Sequence, residues 1–85
     1  MLATALADEI RAYLEQRRDA LSREIHDYPT PIARCDAQLG GLLEERTAIA
    51  GVLDSGDDRA LIEAFVAASA TWADAEAQRL RAAAR

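Results

Sequence analysis

The residues of this 85-residue chain with chemical potential gather at one place in the sequence. His26, Asp27, Tyr28, Arg34, Cys35 and Asp36 flank the tripeptide Pro29-Thr30-Pro31. A histidine within reach of a thiol can activate it as a nucleophile. A helix N-terminus can also lower a thiol pKa, an effect that fades within the first turn. Cys35 falls about one turn into a helix that opens at Pro31, and it lies on that helix's apolar stripe. The reading that prevails makes Cys35 a small core hydrophobe. His26 is then a surface residue near a helix C-terminus, where positive charge is favoured. A nucleophile would also need oxyanion donors and a pocket, which the sequence does not indicate, so no catalytic residue is assigned.

Metal binding is weaker still. One histidine and one cysteine are too few for a structural zinc site within one chain, and no Glu-x-x-His pair of the di-iron bundle type occurs. No metal or cofactor is expected, and no small-molecule substrate is identifiable. As a partner or ligand surface the cluster does better. Arg34 and the free amides opening the second helix could hold a carboxylate or phosphate, with Tyr28 and the prolines as a rigid wall. His26, Tyr28, Arg34, Cys35 and Asp36 are the candidate surface on this basis. The blander alternative pairs Arg34 with Asp27 or Asp36 and gives it no partner outside the chain.

Three long helices are expected to position these residues. The first spans about 3–27, with apolar residues at Leu6, Ile10, Tyr13, Leu14, Leu21, Ile25 and Tyr28 in three-four spacing. Its mixed charges suggest ion pairs such as Asp19 with Arg23. The prolines fix φ, lack N–H groups and end that helix, while Thr30 and Pro31 suit the start of another. The second helix spans about 31–54, with Ile32, Cys35, Leu39, Leu42, Ile49 and Leu53 as its stripe. In Asp54-Ser55-Gly56-Asp57-Asp58, Gly56 then stops the helix, and Ser55 or Asp57 can cap the next. The third helix spans about 57–83, with Leu61, Phe65, Ala68, Trp72, Glu76 and Leu80 as its stripe and a tail that frays past Leu80.

Short connections predict antiparallel neighbours, up-down-up. Gly40-Gly41 in mid-helix costs about 2 kcal/mol relative to alanine. Reflection of the third helix onto the second sets Trp72 opposite Leu39, so Gly40, Gly41 and Trp72 are expected to pack together, the indole lying over bare backbone. Reflection of the first onto the second sets Tyr13 near Arg46. Arg17 and Arg46 are expected to snorkel beside the core; the alternative pairs them with Glu24, Glu44 or Glu45 across a helix interface.

Composition bounds the rest. The net charge is −5 and lysine is absent, so nucleic acid and anionic membranes are disfavoured partners. With one cysteine, no intramolecular disulfide can form. No apolar run approaches the about 20 residues of a membrane span, and the N-terminus does not read as a signal peptide. A cytoplasmic location is expected by elimination. A chain this short buries only about 60–65% of its unfolded surface, so association would help it. The expectation is an all-α up-down-up bundle that dimerises through its first two helices. Its role would be a non-enzymatic self-association or protein-interaction module, with docking on a larger enzyme and a thiol switch at Cys35 as the alternatives.

Overall fold

A computed structural model of the chain describes residues 2–28 and 36–84. These residues form four α-helices that pack together: α1 (Leu2–His26), α2 (Asp36–Leu53), α3 (Asp58–Ala68) and α4 (Ala75–Ala83), with a 3-10 turn over Ser69–Thr71 between the last two. No strand occurs among the described residues. The molecule is elongated, with principal extents of 48 × 19 × 17 Å.

The local chemistry explains where the helices stop. At the end of α1 the Asp27 and Tyr28 amides still donate to the carbonyls of Arg23 (2.9 Å) and Ile25 (3.2 Å). Pro29, next in sequence, has no N–H to add. The Pro-Thr-Pro corner and the expected first residues of the second helix, 31–35, lie outside the described residues. At the far end of α2, the amides of Asp54 and Ser55 close on Ala50 and Val52 at 3.0 and 3.1 Å. Asp57 then caps α3, its extended backbone (φ −136°, ψ 175°) letting the carboxylate accept the Ala60 amide at 2.8 Å.

The core draws on all four helices. Ile10, Leu14 and Leu21 of α1, Ile49 and Val52 of α2, Leu61 and Phe65 of α3, and Ala77 and Leu80 of α4 are buried. Each large aliphatic or aromatic side chain buried in this way contributes about 1.5–3 kcal/mol relative to exposure. Phe65 is the junction. Tyr13 and Trp72 both meet it edge-to-face, with ring centroids 6.3 and 5.9 Å away.

The single third helix expected over 57–83 is instead two helices. Its interruption begins at Ser69, which is fully buried. The Ser69 hydroxyl donates to the Phe65 carbonyl at 2.6 Å, and the Ser69 amide closes on the same oxygen. This back-bonding competes with the helical ladder. Trp72 is then extended (φ −80°, ψ 133°), and Asp74 caps α4 by accepting the Glu76 amide at 3.1 Å. Gln78 Nε2 reaches back to the carbonyls of Ser69 (3.2 Å) and Trp72 (2.5 Å). It gives the Trp72 oxygen a partner and adds a second donor at Ser69, whose carbonyl also accepts the Trp72 amide at 3.1 Å.

The break rephases the apolar stripe. Glu76, expected on the seam, is exposed and forms a bidentate pair with Arg79 at 2.7 and 3.0 Å. Ala77 is buried in its place. Past Leu80, α4 continues to Ala83: Arg81 Nε donates to the Val66 carbonyl at 3.4 Å, and the Ala84 amide closes on Leu80 and Arg81 at 3.1 Å.

The expected seating of Trp72 on Gly40 and Gly41 is not what the fold does. A methyl group built on either glycine would meet no heavy atom within 4 Å among the described residues. The indole turns to Phe65 because the break at Ser69 frees it from the helical register that would have carried it over α2. No helix among the described residues is long and apolar enough to cross a membrane.

Candidate functional site

The corner cluster does not assemble as a site within the described residues. His26 is exposed at the last turn of α1, its Nδ1 3.2 Å from a carboxylate oxygen of its neighbour Asp27. The Tyr28 hydroxyl donates to Gln38 Oε1 of α2 at 3.2 Å. Arg34 and Cys35 lie outside the described residues; Asp36 opens α2, but its side chain also lies outside them. Among the described residues no group of three metal-ligating side chains occurs.

A concavity lies elsewhere, between α1, α2 and the Ser69–Asp74 turn, with a volume of about 610 Å³. Tyr13 and Trp72 supply its aromatic surface, and Arg17, Glu44, Glu45 and Asp74 supply its charge. Small residues leave the space between them: Gly41 and Ala48 on α2, and Ala68 and Ala73 at the turn. Gly41 thus faces open groove with Trp72 on the opposite wall. Past Tyr13 a shallower depression of about 340 Å³ continues between Glu9 and Gln16 of α1 and Glu76 and Arg79 of α4.

Two hydrogen-bonded pairs span the larger groove. The Tyr13 phenol donates to Asp74 Oδ2 at 2.6 Å, the length of a hydrogen bond onto a carboxylate. Burial above all, and then the bond to Asp74 and its charge, push the phenol above the usual tyrosine range. The same bond holds the Asp74 carboxyl below its usual range, assisted by the Glu76 amide and by Arg17. Arg17 meets Glu45 Oε1 through both Nε and Nη2 at 3.0 Å. That bond is the main reason its guanidinium holds its proton more firmly than usual.

These pairs revise three expectations. Arg17 does not simply snorkel; it pairs with Glu45 within its own chain, because a partly exposed carboxylate stands opposite it on α2. Tyr13 is not matched to Arg46, because the break after Ala68 brings Asp74 to its hydroxyl instead. Arg46 makes no ion pair among the described residues, and Asp19 lies by Arg18 at 3.4 Å rather than by Arg23. The signal for Asp74 was present in the sequence: Trp72-Ala73-Asp74-Ala75-Glu76 places a capping aspartate before a helical run, with a glutamate in the first turn.

A second surface is defined by what does not cover it. Between Gly40 and Gly51, α2 turns Leu43, Glu44, Thr47, Ala50 and Gly51 to solvent. Leu43 is the one large hydrophobe exposed among the described residues, at 38%. The Thr47 hydroxyl donates to the Leu43 carbonyl at 2.9 Å, so its polar group is spent on its own helix. A methyl group on Gly51 would likewise meet nothing within 4 Å among the described residues. Compared with known proteins, the chain matches no family model, no curated protein and no solved structure.

Proposed function

We propose that the protein is a small helical self-association module whose partner is a second copy of itself. The observation that carries this reading is the outward face of α2. A helix apolar on more than its core side is ordinarily buried on more than one side. Here Gly40, Leu43, Thr47, Ala50 and Gly51 form an uncharged strip, with Glu44 at one edge and Arg46 at the other. Three glycines in α2 weaken an isolated helix, and nothing within the described chain stands where their side chains would be. Close approach by another backbone gives them a use.

Charge permits a second copy on this strip. Two chains of net charge −5 repel, and an isologous contact sets each surface against its own likeness. A strip with almost no charge can meet itself without burying like charges, with Leu43 seated against glycine backbone. The cross-helix pairs Tyr28–Gln38 and Arg17–Glu45 support an antiparallel course for α1 and α2. Two such hairpins joined along α2 would make a four-helix core.

Sedimentation equilibrium tests this. The expected mass is twice the 9.2 kDa chain at micromolar concentration. Ala50→Glu, at a solvent-exposed position, is expected to give a monomer with unchanged helical circular dichroism. A wild-type monomer throughout that range overturns the proposal.

A further inference from the structure

The groove between Tyr13, Glu44 and Trp72 has features that the self-association reading does not use. It is roomy, at about 610 Å³, and open to solvent on one side of α2. Its charged lining is unequal: Glu44, Glu45 and Asp74 against Arg17 alone. Those groups are not equally available. Glu45 is occupied by Arg17, and Asp74 by the Tyr13 hydroxyl and the Glu76 amide. Glu44 is exposed and has no partner among the described residues. Trp72 stands across the groove, packed edge-to-face on Phe65 behind it. Gly41, Ala48 and Ala73 add no bulk between the two.

We propose that this groove binds a guanidinium group, stacked on Trp72 and paired with Glu44. An anion is disfavoured by the surplus of carboxylates. A neutral apolar ligand would leave Glu44 and the Tyr13–Asp74 pair to be desolvated without return. A cation suits both walls: the indole face attracts it, and the free carboxylate pairs with it. Between cations, the planar guanidinium can stack and present two N–H groups to one carboxylate at once, which an ammonium cannot. The ligand is either an arginine side chain carried on a peptide or a free guanidino compound.

Trp72 is the only tryptophan, so its fluorescence reports occupancy directly. Agmatine and N-acetyl-arginine amide are titrated into the wild-type protein, with N-acetyl-citrulline amide as the neutral isostere of the second. Saturable change with either guanidinium compound, at a half-saturation of about 1 mM or below, is expected. The citrulline compound is expected to give none. Tighter binding of the amide assigns the site to peptide-borne arginine, and tighter binding of agmatine to a free guanidino compound. Glu44→Gln is expected to weaken binding about tenfold, while its circular dichroism stays that of wild type. No saturable change up to about 20 mM, or equal binding of the citrulline compound, or unaltered affinity in Glu44→Gln, overturns the proposal. Because the titration reads the groove and sedimentation reads the α2 strip, either reading can fail alone.

Discussion

The Tyr13 hydroxyl and the Asp74 carboxylate, 61 positions apart in sequence, are joined by a 2.6 Å hydrogen bond that ties the start of α4 to the middle of α1. Asp74 does two things at once: one oxygen caps α4 through the Glu76 amide and the other receives the phenol. The end of the chain is thereby held by a polar latch as well as by Ala77 and Leu80 in the core. Tyr13→Phe keeps the ring on Phe65 and removes only the donor. It is expected to cost about 1 kcal/mol, read as a lower urea midpoint at unchanged slope.

The latch gives stability a pH dependence of defined sign. Asp74 titrates below its ordinary value of 3.8 because the folded state favours the carboxylate. Its contribution is therefore full above that value and is lost as the pH falls through the folded pKa. Asp74→Asn preserves a good cap but not the charge. The stability gap between wild type and Asp74→Asn is expected to be constant near neutrality and to close below about pH 4. At the alkaline end Tyr13 ionises above its ordinary 10.0. Its contribution is present below that value and is lost as the pH rises through the folded pKa. A phenolate absorbance band from Tyr13 that develops at or below pH 10 would contradict the latch.

Gln78 is the second fastening of the same turn. Its amide donates to two carbonyls of the interruption: that of Trp72, and that of Ser69, which also accepts the Trp72 amide. Gln78→Leu keeps most of the volume and leaves both oxygens without that donor. A loss of about 1–2 kcal/mol is expected, with faster amide exchange confined to residues 69–76. Gln78→Glu is expected to be at least as damaging, since a carboxylate would face two carbonyl oxygens. Exchange rates that rise equally throughout the protein would show that Gln78 serves global stability and not the turn.

The Arg17–Glu45 pair crosses from α1 to α2 with about a third of each side chain exposed. Exposure of that order lets water and salt screen it. A double-mutant cycle with Arg17→Gln and Glu45→Gln is expected to give a coupling below about 1 kcal/mol at low ionic strength. The coupling should shrink in 1 M salt. A larger, salt-insensitive value would mean that the pair is shielded by something beyond the isolated chain.

Three-four spacing was enough to read α1 and the core positions Ile10, Leu14, Leu21, Ile49, Leu61, Phe65 and Leu80, and capping chemistry narrowed the start of α3 to Ser55 or Asp57, of which Asp57 is the cap. Those are matters of local periodicity and capping chemistry, and few alternatives compete with them. The break at Ser69 was lost because alanine fills both sides of it. A run such as Ala67-Ala68-Ser69-Ala70 has high helix propensity, and only tertiary contacts decide that Ser69 turns its hydroxyl back to Phe65. Without that break, three-four spacing sets Trp72 and Glu76 on the wrong phase and keeps Asp74 away from Tyr13. The groove inherits the same blindness, since one wall of it is the turn itself.

The glycines of α2 give the proposed self-association a test of its own. No glycine in the described chain has positive φ, so alanine is conformationally allowed at Gly40 and Gly51, and each replacement is expected to add about 0.5–1 kcal/mol to the stability of an isolated α2-containing fold. Nothing among the described residues lies within 4 Å of the added methyl groups. If a second copy packs its backbone there, the same methyl groups must push it away. Gly40→Ala/Gly51→Ala is therefore expected to raise the thermal midpoint at concentrations where the chain is monomeric, and also to raise the dimer dissociation constant. Opposite movement of the two quantities is the signature of glycines kept for a neighbour. A variant that gains stability and dimerises as tightly as wild type would place the interface off this strip.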